Sequence, residues 1–353
     1  MLKHFVKRAK AMHFCFKALL MVLLSFLWSG VAQANCLMFS NQNERLVNFC
    51  LLESVTGKLL DERTAVLVSQ RLQREGYFGG LRSSSVTTSI LPTLSYSSNI
   101  NGGNPNKNLV VGELEFEGDP ALVAEEGIVF GVSVGGSLRN TYGEGRYLDA
   151  SLATALNWSP EYGTHYTIGR VAGCFKNKIK RSGYADFCFD GTEQIKDISS
   201  DRSKSMSLNL GQLRFAQGFG FSDTSVGFKR NFHSGYQQNL VSLQWQTIHP
   251  KNVFASGRVR VGERVQNQMT LKYGLDVRLS KTFAGRPVTI DLGHKRIDGG
   301  KLLGVDRADT VARISVSMPL SKMLSLSAGY QETRSSIAYF ESKEPSISLT
   351  LVW

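Results

Sequence analysis

From about Thr88 to the last residue, apolar and polar side chains alternate with a period of two, as in strands with one greasy face and one wet face. Ile347, Leu349, Leu351 and Trp353 alternate with Ser346, Ser348, Thr350 and Val352. Leu271, Tyr273, Leu275, Val277 and Leu279 alternate with Lys272, Gly274, Asp276, Arg278 and Ser280, and Ala312 to Met318 repeats the pattern. Such runs predict about fourteen strands, near 88–97, 108–117, 127–138, 146–157, 164–175, 205–215, 222–231, 238–248, 253–262, 269–280, 286–297, 308–318, 323–333 and 344–353. A soluble sandwich also alternates, but its polar face is rich in Lys and Glu. Here Gly, Ser, Gln and Arg predominate, which points to a lumen and to an antiparallel transmembrane β-barrel closed by an even number of strands.

Connection lengths test that expectation, because short periplasmic turns should alternate with longer outer loops. On this reading Trp158–Gly163, Ala216–Phe221, His249–Lys251 and Pro319–Lys322 are turns, and Lys176–Lys204, Asp298–Arg307 and Arg334–Lys343 are outer loops. Gly118–Glu126 is long for a turn, and Arg139–Gly145 and Phe232–Gln237 are short for outer loops. The last strand, with Ile347, Leu349, Leu351 and a terminal Trp353, has the pattern read by the outer-membrane assembly machinery.

Before the strands, apolar residues recur at helical spacing between Asn43 and Gly76. Leu60, Ala65, Val68 and Leu72 form a stripe, with Asp61 and Glu62 at its start and Gly76 past its end. Two short helices are expected, too small for a core of their own, so residues 35–87 should dock as a periplasmic cap or plug on a barrel of residues 88–353. Residues 1–34 read as a cleaved signal peptide: Lys3, Lys7, Arg8, Lys10 and Lys17 precede the apolar run from Ala18 to Trp28, and Ala32 and Ala34 flank Gln33.

Charge and cysteines refine the picture. Losing the leader's five basic residues and no acids takes the formal +12 to +7, which suits a basic lumen or anionic lipid, and the secreted location disfavours nucleic acid. The 34 glycines and slightly negative mean hydropathy fit many strands and turns. Cys36, Cys50, Cys174 and Cys188 form an even set with three pairings, of which the local one, Cys36 with Cys50 and Cys174 with Cys188, is favoured in an oxidising compartment. The second pair would sit in the Lys176–Lys204 loop.

For catalysis the signals are poor. Ser133 lies in a G-x-S-x-G match with no helix after it, His233 and Ser234 are the best His/Ser pair, and His165, His233, His249 and His294 have no metal spacing. No cofactor or metal is expected. The polar-side cations are more informative: Lys229, Arg258, Arg260, Lys272, Arg278 and Arg313 project inward against Asp276 and Asp291. They would either select anions by their field or pair with acids and fill the interior.

Arg307 and Asp309 opening a strand, Leu324 to Tyr330, Arg334 to Ile337, Tyr339 with Phe340, the Ser346–Trp353 strand and the Asn- and Gly-rich stretch from Leu91 to Gly103 together resemble the barrel of the surface lipoprotein assembly modifiers. The resemblance implies a fourteen-stranded outer-membrane barrel that helps deliver a surface protein or lipoprotein cargo. It carries over no catalytic residue, and of that family's helical repeat domain Asn43–Gly76 has room for at most a remnant helical pair. The expectation is therefore a transport or translocation barrel in contact with outer-membrane lipids and the barrel assembly machinery. A lipid-modifying enzyme and an adhesive barrel are the alternatives.

Overall fold

The structure is a computed structural model that describes residues 36–39, 42–58, 60–77, 83–111, 114–180, 182–283, 285–321 and 323–351. The leader and Trp353 lie outside the described residues. A single-turn helix, Cys36–Phe39, is followed by α1 (Glu44–Thr56) and α2 (Glu62–Arg74). Both helices start where a side chain caps them: Asn43 accepts from the Leu46 amide and Asp61 from the Thr64 amide, each satisfying an amide the helix leaves open. Past α2 the chain reverses at Gly76, whose φ of 79° suits glycine.

The strands then run β1 (Ser83–Ser97), β2 (Asn108–Val111), β3 (Leu114–Glu117), β4 (Gly127–Gly143), β5 (Arg146–Trp158), β6 (His165–Lys178), β7 (Gly183–Ile195), β8 (Ser200–Ala216), β9 (Gly220–His233), β10 (Tyr236–His249), β11 (Val253–Gly262), β12 (Thr270–Phe283), β13 (Arg286–Leu302), β14 (Val305–Pro319), β15 (Leu324–Ser335) and β16 (Ser342–Leu351). Fourteen of them close an antiparallel barrel in which β1 pairs with both β4 and β16, and β2 and β3 form a separate hairpin. Closure pairs every wall strand on both sides, as a sheet in hydrocarbon requires.

The expected strand count is right, but it hides two errors that cancel. Residues 108–117 are a hairpin with four-residue arms inside the β1–β4 loop, too short to cross a bilayer that needs about nine to eleven residues per strand. Conversely, the expected outer loop Lys176–Lys204 contains a full wall strand, β7. Its outward Phe187 and Phe189 alternate with inward Asp186, Cys188 and Asp190, but Gly183 and Gly191 interrupt the apolar run. The two errors inverted the sidedness between them. The expected outer loop Arg139–Gly145 is the end of β4 and a two-residue turn, Glu144–Gly145, at the end where the chain enters and leaves the barrel, and Trp158–Gly163 lies at the opposite end. Cys174 and Cys188 are joined, as directly paired residues of β6 and β7 with Cα atoms 4.1 Å apart, so their bridge lies in the wall and not in an outer loop.

With the order corrected, the two ends differ plainly. At the end holding Ser83 and Leu351 every connection has two to four residues, whereas the other end carries the 98–126 loop and several of six or seven. The outward positions are apolar and exposed: Ile90, Val134, Leu156, Leu243, Leu275 and Ile314 among them. A belt of this kind around a closed sheet far exceeds the few hundred Å² a soluble monomer tolerates, and it fits lipid. The chain is a transmembrane β-barrel.

Candidate functional site

The buried core does not lie between sheet layers. It lies inside the barrel at its short-turn end, where α1 packs on β9 and β10 and α2 packs on α1. Leu46, Val47, Phe49, Cys50, Val68 and Leu72 are buried there together with inward wall residues. Phe39 meets Phe254 with ring centroids 6.1 Å apart, and Phe49 meets Phe221 edge-on at the same distance. Cys36 and Cys50 are bonded and tie the single-turn helix to α1.

Charges fix the helices to the wall. The Arg139 guanidinium on β4 donates to Glu44 of α1, to Glu75 after α2 and to its neighbour Asp149 on β5. Lys176 lies 3.0 Å from Asp149. Farther along the same wall, on β7 next to Lys176, Arg45 of α1 pairs with Asp186 at 2.6 Å and stacks 4.0 Å over Tyr184, whose hydroxyl donates to Asp223 on β9. Asn43 donates to the same carboxylate at 3.1 Å. The Tyr77 and Tyr147 hydroxyls meet at 3.1 Å, and the Gly145 amide donates to the Gly76 carbonyl. Burial raises the Glu44 carboxyl, but the hydrogen bond from Arg139 and the charge of Lys176 outweigh it and hold it below the usual range. Glu75 is pushed up, by burial and then by Glu44 beside it.

Next to the helices the lumen opens into a chamber of about 540 Å³ on the β10–β14 side. Five cations line it, Arg258, Arg260, Arg278, Lys295 and Arg313, against two carboxylates, Asp276 and Asp291. Asp276 takes Arg260 at 2.6 Å and Arg313 at 3.2 Å, and Asp291 takes Arg278 at 2.6 Å. Arg258 donates to Gln244 and to no carboxylate among the described residues. Gln42, just before α1, reaches the chamber 3.5 Å from Arg278.

Of the six cations singled out in the sequence, Arg258, Arg260, Arg278 and Arg313 are thus brought together. Lys229 is on the same inner face of β9, outside the chamber's lining. Lys272 lies nearer the long-loop mouth, 3.1 Å from Asp298. Sequence reasoning missed Lys295, although it follows Asp291 by four residues on the same face of one strand. It also missed Arg139, which sits in the part of β4 read as a loop. Ile347 and Leu351 are exposed on the outer wall. Ser133 is in mid-strand with no elbow, and His233 stacks on Tyr236 with centroids 4.6 Å apart.

The long-loop mouth is partly covered by the 98–126 segment. The Ile198 amide, in the β7–β8 connection, donates to the Asn101 carbonyl, and Lys196 donates to the Asn99 carbonyl. On the other side of the mouth Asn106 donates to the carbonyls of Ala338, Tyr339 and Glu341.

No family model and no curated protein matches the sequence. Among solved structures the chain is similar to a BenF-like porin from Pseudomonas fluorescens, with 10% identity over 78% of this chain and 100% of that one and a TM-score of 0.42. It is also similar to OpdF of Pseudomonas aeruginosa, 10% identical over 78% and 98% with a TM-score of 0.41, and to OpdK from that organism, solved with vanillate, 9% identical over 78% and 100% with a TM-score of 0.41. Overlaps this loose add nothing to the argument, and the barrel rests on this chain's own ladder of paired strands.

Proposed function

We propose that the chain is an outer-membrane channel for small anionic solutes, that its barrel end with the short turns faces the periplasm, and that residues 36–77 are its plug. The observation that carries the reading is the chamber: five cations face two carboxylates in a cavity bounded by Gln42 of the helical segment. The chamber cations are open to the lumen, Arg278 at 45% and Arg313 at 57% exposed, and their excess over carboxylates makes a positive field in a confined space. An anion passing through supplies the missing charge and finds several guanidinium donors at once. Orientation follows from the alternation of connections, since short turns face the periplasm in barrels of this class.

Planar-bilayer conductance of the purified full chain and of a variant lacking residues 36–77 tests the reading. The full chain should conduct little or intermittently, and the deletion variant should conduct steadily with anion preference. A deletion barrel that migrates as folded but never conducts would sink the channel reading.

A further inference from the structure

On its outer surface the wall has a groove of about 680 Å³ across β5 to β9, in the half nearest the long loops. Leu152, Val171, Gly191, Lys204 and Phe232 form one row, each directly paired with the next. The groove exists because Gly191 has no side chain at the centre of this row, and neither has Gly169 on the mouthward side. The Phe189 ring lies over Gly173 and not over Gly191, which only the edge of Val171 approaches. Exposed Leu152 and Met206 complete the apolar walls.

Two exposed cations stand on this lipid-facing side, Lys204 beside Gly191 on the ladder and Arg202 two residues nearer the mouth. Neither forms an ion pair among the described residues, and Glu193, beside Arg202 on the ladder, is not within bonding reach. Snorkelling alone accounts for long cations near a membrane interface. It does not account for a glycine-floored apolar trough running from them toward mid-wall. An amphiphile does: an acyl chain fits the trough, and its phosphate fits a guanidinium with an ammonium beside it.

We propose that this groove binds a phosphorylated glycolipid of the outward leaflet, one acyl chain over Gly191 and a phosphate on Arg202 and Lys204. The proposal rests on the outer-membrane orientation given above, and not on conduction. The probe is lipid A, an acylated glucosamine disaccharide carrying two phosphates, titrated into the folded full chain in detergent and read by native mass spectrometry. Its dephosphorylated form serves as comparison.

The phosphorylated lipid should bind at least ten-fold more tightly, and Arg202→Gln with Lys204→Gln should abolish that margin. Gly191→Leu, which keeps both cations but fills the trough, should weaken both lipids several-fold. Arg296→Gln, on the outward face of β13, should change neither. Heat-modifiable migration reports that each variant is folded. Equal binding of the two lipids, an unaffected double variant, or a dimer cross-linked through position 204, which would make a second copy the occupant, each overturns the proposal. A barrel that discriminates the lipids but never conducts loses the channel and keeps the groove. One that conducts anions without discriminating them does the reverse.

Discussion

At the scale of single residues, Arg139 holds most of the charge that docks the plug. Its side chain is 17% exposed and answers three carboxylates, two of them on the helical segment. Arg139→Ala leaves those acids facing each other in a partly dry site. Breaking such a pair costs about 3–5 kcal/mol where burial is deep. The expected outcome is an intact wall with a loosened plug, visible as faster trypsin cleavage within residues 42–77 and raised conductance. The same cluster gives docking a pH dependence. Glu44 titrates below the ordinary glutamate value, so its contribution is lost as pH falls through that lowered pKa. Glu75 titrates above it, because burial and Glu44 outweigh Arg139 and Arg71, so its contribution is lost as pH rises through that raised pKa. Docking should therefore be firmest around the ordinary glutamate range and weaken on both sides. Glu75→Gln should remove the alkaline limb alone, as measured by cleavage rate against pH.

At the scale of elements, the plug is a pair of helices too small to stand alone, stapled once and wedged into a closed wall. Closing a loop of the size between Cys36 and Cys50 is worth about 3 kcal/mol on the chain-entropy model. Replacing both by Ser should speed plug cleavage but leave heat-modifiable migration of the barrel unchanged. Cys174 and Cys188 bridge strands that are already hydrogen-bonded along their length, so their loss should matter far less. Non-reducing mass spectrometry should find no free thiol at either pair. The helices themselves were readable from spacing and caps. That they enter the lumen was not, because a stripe of buried positions records only that something covers it, and the wall partners Tyr147, Asp223 and Phe254 are scattered over more than a hundred residues.

At the scale of the whole molecule, the channel reading predicts an anion preference set by the chamber, and that preference should fall as salt screens the wall. Replacing Arg258, Arg260 and Arg278 together by Gln should lower the reversal-potential shift of the plug-less channel without unfolding it, since lumen positions tune selectivity whereas charges on the lipid face at mid-membrane cost about 2–4 kcal/mol. Assembly is a property of the whole chain too. Trp353→Asp should leave export across the inner membrane intact and slow the appearance of the heat-modifiable form, which pulse-chase gels would follow.

The sequence alone determined that the wall is built of strands with one wet and one apolar face, because a period of two puts every second residue on the same face. It also determined the identity of most chamber cations, since face follows from parity once one position in a strand is known. Only the tertiary structure decided which alternating stretch crosses the membrane. The 108–117 stretch alternates and is a hairpin, whereas 183–195, broken by glycines, is a wall strand. The physical reason is that alternation is local, whereas membership in the barrel depends on a partner along both edges: β7 finds β6 and β8, and the hairpin finds only itself. The same limit hid the plug's site and the lipid-facing groove, which arise where residues far apart in the chain meet across the ladder.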